Sequence, residues 1–140
     1  MKKQKGYTLV ELMLVLMVVV GGLGFLAKAG LDAQAGNRIS EGIRSVSLLR
    51  SQASLYGAPS NFVGMTLLNI PVGKTIGDGS GTNPWHGDYS LTVNNAGADY
   101  TLTLTEVPAD ASGPMMKAMA EGASTVPAYT GTTLSVGYDE

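Results

Sequence analysis

The sequence predicts an α+β fold in which a long N-terminal helix, apolar in its first half and amphipathic in its second, packs on a small antiparallel β-sheet. Three observations carry this. Leu12 to Ala27 holds no charged or hydrogen-bonding side chain. Leu31, Ala35, Ile39, Ile43, Val46, Leu49, Ala53 and Tyr56 recur every three or four positions, which is one face of a helix. In residues 88–93, 99–107 and 132–138, apolar residues alternate with polar ones at the period of half-buried strands.

The 140 residues amount to one ordinary domain, and 44% apolar with 14% charged side chains suits a folded chain. The expected division is a short opening (1–6), a helix (7–56, with 7–27 crossing a membrane) and a Gly-rich head (57–140). The absence of cysteine excludes disulfides and thiol chemistry. The net charge of −2 hides an asymmetry: Lys2, Lys3 and Lys5 precede the apolar run, while residues 57–140 set Lys74 and Lys117 against eight acids. A nucleic-acid-binding head is not expected on that balance.

Taking the elements in order, a basic opening followed by an apolar run keeps an N-terminus cytoplasmic while the chain crosses the membrane. The 21 residues from Tyr7 to Ala27, at ~1.5 Å each, span roughly the ~30 Å hydrocarbon core. Glu11 is the anomaly, because a carboxylate near a membrane helix centre costs up to ~2.5–3.5 kcal/mol and less toward the interface. It is either a charge with a partner or a tolerated interfacial glutamate. Ala27-Lys28-Ala29 offers a rival reading, a signal-peptidase site releasing a protein that starts at Gly30. The apolar run is longer than the ~7–15 residues usual for a secretory signal, and a carboxylate at its start is unhelpful.

Gly57 and Pro59 end the helix pattern. A helix from Tyr7 to Tyr56 exceeds what a small head can cover, and the uncovered apolar half is the expected interaction surface. Gly21, Gly22, Gly24, Gly30, Gly36 and Gly42 weaken it by up to ~1 kcal/mol each. The cluster Gly21, Gly22 and Gly24 fits either close helix packing in the membrane or a segment that unwinds on assembly. Arg38, Arg44 and Arg50 form either a solvated face or a subunit contact. The stretch from Lys28 to Arg50 is net positive and the head acidic, so neighbouring copies can attract each other.

In the head, Asn61 to Ile70 reads as a short helix ending near Pro71, and residues 73–84 as a loop. Asn94 to Ala98 reads as a hairpin turn between two strands. Asp110 to Gly122 reads as a helix with Met115, Met116 and Met119 facing inward, and Thr132 to Tyr138 as a third strand. Trp85 is expected as a core or subunit-contact anchor. His86, the sole histidine, has no second histidine or cysteine with which to share a metal. Asp78 to Asn83 is oxygen-rich but lacks the closing glutamate of an EF-hand loop. No metal, cofactor or catalytic triad is expected, and enzymatic activity is the least supported class.

Lys5-Gly6-Tyr7-Thr8-Leu9-Val10-Glu11 followed by an apolar run resembles the processing site of type IV prepilins. That family has a short basic leader, a glycine before the cut, a hydrophobic first mature residue and glutamate as the fifth. The resemblance makes residues 1–6 the leader and implies prepilin-peptidase cleavage between Gly6 and Tyr7, with N-methylation of Tyr7. It gives Glu11 the role of pairing with the Tyr7 amine of a neighbouring subunit, which sets axial register. Tyr7 stands where phenylalanine or methionine is commoner. Thr82-Asn-Pro-Trp-His-Gly87, two strands and a Met-rich helix resemble the heads of type IVb and conjugative pilins, with His86 in place of a glycine. Those heads carry a C-terminal disulfide that this chain lacks, so packing must brace its last segment, and the six-residue leader is closer to type IVa. The implied function is a structural subunit, the major pilin of a type IV pilus. Its partners are then copies of itself, prepilin peptidase, the inner-membrane assembly machinery and, before assembly, lipid. The implied location is the inner membrane and afterwards an extracellular filament. A pseudopilin or minor pilin of a secretion or DNA-uptake system is the alternative within the family, and a membrane-anchored or secreted binding module the alternative outside it.

Overall fold

The computed structural model describes residues 8–57, 61–70 and 81–139. The chain divides into two compact units, Met1–Gly36 and Asn37–Glu140. One helix, α1 (Leu9–Gly57, 49 residues), contributes to both.

In the first unit α1 is long and apolar enough to cross a membrane, with a mean hydropathy of 2.5 over its most apolar window and none of that window buried. Leu12, Leu16, Val20 and Phe25 are exposed. Straight-chain and branched apolar residues keep the helix continuous through Gly21, Gly22 and Gly24.

The second unit has its own core. The inner face of α1 from Gly42 to Gly57 buries Gly42, Ser45, Val46, Leu49, Ala53 and Gly57. This stripe departs from the sequence expectation at both ends, since Leu31 is 67% and Tyr56 41% exposed. The spacing of the buried positions continues from Ala53 to Gly57, where the Phe62 ring closes over the glycine. A Cβ on Gly57 would lie 2.5 Å from the Phe62 Cδ1 atom.

The sheet follows from the alternation of Thr with Leu, Val and Tyr. Strands β1 (Tyr89–Asn94), β2 (Asp99–Leu104), β3 (Ala128–Thr130) and β4 (Thr133–Asp139) are arranged β1-β2-β4-β3. All pairings are antiparallel, with Leu91 opposite Leu102 and Leu102 opposite Val136. The period-2 rule puts Tyr100, Leu102, Leu104, Leu134, Val136 and Tyr138 on the core side. Between β2 and β3 runs α2 (Ala109–Met119), whose inner face supplies Ala111, Met115 and Met119 to the core, while Met116 is only partly buried.

Two expectations are corrected. Residues 61–70 form a turn and one 3₁₀ turn (Leu67–Asn69) instead of a short helix. Gly64 takes φ +79 and Thr66 is extended, both outside the helical region. Phe62 N–H instead donates to Gly97 O at 2.9 Å, tying the segment to the hairpin turn. The final strand is also not alone: β3 and β4 form a tight hairpin with Gly131 in the turn at φ +64, a glycine signal of the kind two-residue hairpins use. The first eight residues of the loop expected at 73–84, and the first half of the oxygen-rich Asp78 to Asn83 stretch, lie outside the described residues.

Candidate functional site

Gly6 and Tyr7, the residues of the expected cleavage and methylation, lie outside the described residues. The next residue opens α1. Thr8 stands at the N-cap with Glu11 three positions on, and the two close a capping box. Thr8 N–H donates to Glu11 Oε2 at 3.2 Å, Thr8 Oγ1–H donates to the same oxygen at 3.4 Å, and Glu11 N–H donates to Thr8 Oγ1 at 3.4 Å. Within one chain the carboxylate therefore has a partner, and it sits where the helix macrodipole favours a negative charge. The Thr-x-x-Glu spacing signals such a box, and it was legible in the sequence.

Past this cap, the apolar residues of α1 as far as Leu31 stay exposed, with Met17 at 77% and Phe25 at 74%. Gly21, Gly22 and Gly24 are helical, and a Cβ on any of them would meet open space. Among the described residues, no neighbour requires glycine there.

Gly42 is different. A Cβ there would lie 2.9 Å from Trp85 Cη2 and 3.2 Å from Met115 Sδ, so glycine lets the indole and α2 approach α1. Trp85 is partly buried against the core. Its loop is organised by Asn83, buried at 3% exposed, whose side chain makes three hydrogen bonds. Asn83 Oδ1 accepts from Trp85 N–H and Gly87 N–H, each at 3.0 Å, and Asn83 Nδ2 donates to Thr105 O at 2.6 Å. His86 takes φ +70, a left-handed conformation that costs a β-carbon residue and suits glycine. That is the position where the resembling heads carry glycine.

The three arginines part company. Arg50 lies with its Cζ 5.3 Å from the centre of the Tyr138 ring and donates to Glu121 O just beyond the end of α2. Arg38 is half-buried and Arg44 exposed, and neither makes a hydrogen bond or ion pair among the described residues. Sequence reasoning grouped them because it saw spacing and charge alone.

The end of the chain is braced without a disulfide. Tyr138 O–H donates to Met119 O at 2.8 Å, and Gly137 N–H donates to Thr125 Oγ1 at 2.7 Å. Phe62 meets Tyr100 edge to face and Tyr100 lies tilted against Tyr138, with ring centres 4.9 Å and 5.4 Å apart. Burial pushes the Tyr100 hydroxyl up to about 12, with Tyr138 adding to the shift and Arg50 opposing it. Burial also raises Tyr138, against the Arg50 charge.

Among the described residues, no group of three or more His, Cys, Asp or Glu side chains could hold a metal ion. Residues 1–24 match a family model, the prokaryotic N-terminal methylation motif. This motif marks type IV prepilin leaders, and the match, with the long apolar helix, supports a type IV pilin-family precursor of pilin or pseudopilin type. No curated protein and no solved structure matches the chain.

Proposed function

We propose that this chain is the structural subunit, the major pilin, of a type IV pilus. Prepilin peptidase removes residues 1–6 between Gly6 and Tyr7, and the new Tyr7 amine is methylated. Residues 7–27 hold the subunit in the inner membrane until the assembly machinery draws it into an extracellular filament, with residues 57–140 as its head. The observation that carries this reading is the pairing of the N-terminal methylation motif with a helix whose most apolar stretch is left exposed. Such a surface must be held by lipid or by other copies.

Glu11 acts in two settings under this proposal. In the single subunit it caps its own helix through Thr8. In the filament it pairs with the Tyr7 amine of a neighbour, and any register that leaves either charge buried and unpaired is penalised. Gly21, Gly22 and Gly24 let the helix unwind there on leaving lipid. Of the residues assigned to subunit contact, Arg50 and Trp85 serve the head's own packing, which leaves Arg38 and Arg44 as the stronger candidates.

Intact mass and N-terminal sequencing of the protein from native membranes test the processing step. A mature chain starting at methylated Tyr7 is expected. A start at Gly30 returns the chain to a secreted protein cut by signal peptidase. The reading as a pseudopilin or minor pilin shares the same N-terminal motif and predicts the same mature end, so the abundance of the chain in filaments separates the two.

A further inference from the structure

Among the described residues of the second unit, no carboxylate forms an ion pair with an arginine or lysine. Arg44 is exposed on α1, and Leu48, Ser51 and Leu55 follow it at four, seven and eleven positions, which is one helical stripe. The two leucines are 43% and 68% exposed, while the opposite face of the same turns supplies Val46, Leu49 and Ala53 to the core. This stripe has both charge and apolar area but no partner among the described residues. Elsewhere on the head, Asp99 and Asp139 stand directly opposite each other on β2 and β4. Like charges so placed destabilise a sheet. Asp99 is held by the Asn95 amide at 3.1 Å and 3.0 Å, and Asp139 has no partner among the described residues. Beside the same sheet end, Val63 is 58% exposed and packs on Gly97.

We propose that the Arg44–Leu48–Leu55 stripe of one copy docks on the Asp99–Asp139 sheet end of a second copy. The guanidinium relieves the repulsion between the two carboxylates, and the leucines gain apolar cover from the surface around Val63. This rests on the filament reading and adds to it the two head surfaces that meet. Because the surfaces differ, the contact is heterologous, and a heterologous contact that does not close into a ring propagates as a helical array. It weakens as salt rises.

The test uses the full chain carrying Arg44→Lys, which keeps the charge and supplies an amine. Carbodiimide treatment of membranes and of sheared filaments then couples that amine to a carboxylate only where the two touch, with loss of water. The expected result is a cross-linked dimer whose joined peptides link position 44 to Asp99 or Asp139, lost when both aspartates are replaced (Asp99→Asn with Asp139→Asn). If filaments contain the chain but no such link forms, this contact is wrong and the filament reading stands. A link found in membranes from cells whose filaments lack the chain supports the contact and overturns the filament reading. Neither link nor filament overturns both.

Discussion

The two units of this chain treat their side chains in opposite ways. In residues 9–31 the apolar side chains stay exposed, while the polar groups at the helix start, Thr8 and Glu11, are satisfied locally. In residues 37–139 the apolar side chains find one another, and polar groups such as Asn83 and Tyr138 are used to position backbone. The first unit leaves its apolar surface open among the described residues. The second buries its own core, with the Tyr89 hydroxyl buried without a hydrogen-bond partner among the described residues. Glycine shows the contrast most directly, because it faces open space at Gly21 and a tryptophan at Gly42.

The largest expected effect breaks the first unit's dependence on company. Glu11→Ala makes the segment more apolar, so membrane insertion and cleavage should persist. Filament assembly then has to bury the Tyr7 amine unpaired, at a penalty of roughly 3–5 kcal/mol where burial is complete. Filament yield should fall sharply in a strain expressing only this variant. Thr8→Ala sharpens the point, since it removes the cap but leaves the carboxylate, and should reduce filaments far less. Equal losses in the two variants would assign Glu11 to helix capping alone.

Next comes the glycine comparison. Gly42→Ala places a methyl group against Trp85 and Met115 and should destabilise the head by about 1–3 kcal/mol. Gly21→Ala should leave head unfolding unchanged while favouring the helix locally by up to ~1 kcal/mol. Thermal unfolding of the full chain in detergent, followed through near-UV dichroism, reads both. A destabilised head in Gly21→Ala would show that the glycines are not sorted as described.

The C-terminal brace is smaller. Tyr138→Phe removes the donor to Met119 O and should cost about 1–2 kcal/mol in the same melt. An unchanged melting temperature would remove that hydrogen bond from the brace. High pH attacks the same cluster. Tyr100 titrates near 10.0 when exposed but is pushed up to about 12 in the fold, because burial favours the neutral phenol. Its contribution is therefore intact below about pH 10 and is lost as pH climbs toward 12. Head stability should fall in that window and less so in Tyr100→Phe. Equal alkaline loss in both would place the sensitivity elsewhere.

The smallest effect is a gain. His86→Gly relieves a left-handed conformation at an exposed position and should stabilise the head by about 0.5–1 kcal/mol. A loss of stability would mean the imidazole has a role in the head that its exposure hides.

Much of this was readable in advance, because periodicity reports burial. The helix, three of the four strands and the inward methionines Met115 and Met119 all follow from repeats of 3.6 or 2. What escaped had other causes. The Thr8 cap was visible as a spacing but overshadowed by the charge on Glu11. Gly42 looked like its neighbours in sequence, since only the fold brings Trp85 against it. Arg50 looked like Arg38 and Arg44 until Tyr138, 88 residues away, came under its guanidinium. Residues 61–70 are an apolar run of mixed period read as a short helix, and the tertiary bond from Phe62 to Gly97 O decided against it.

The central claim is that the exposed apolar helix exists to be covered by other copies of the same chain. Intact-mass analysis of filaments sheared from cells tests this most directly. The account predicts that the dominant subunit is this chain from Tyr7 to Glu140 carrying an N-terminal methyl group. Filaments in which this chain is absent, or present only as a fragment beginning at Gly30, would contradict it.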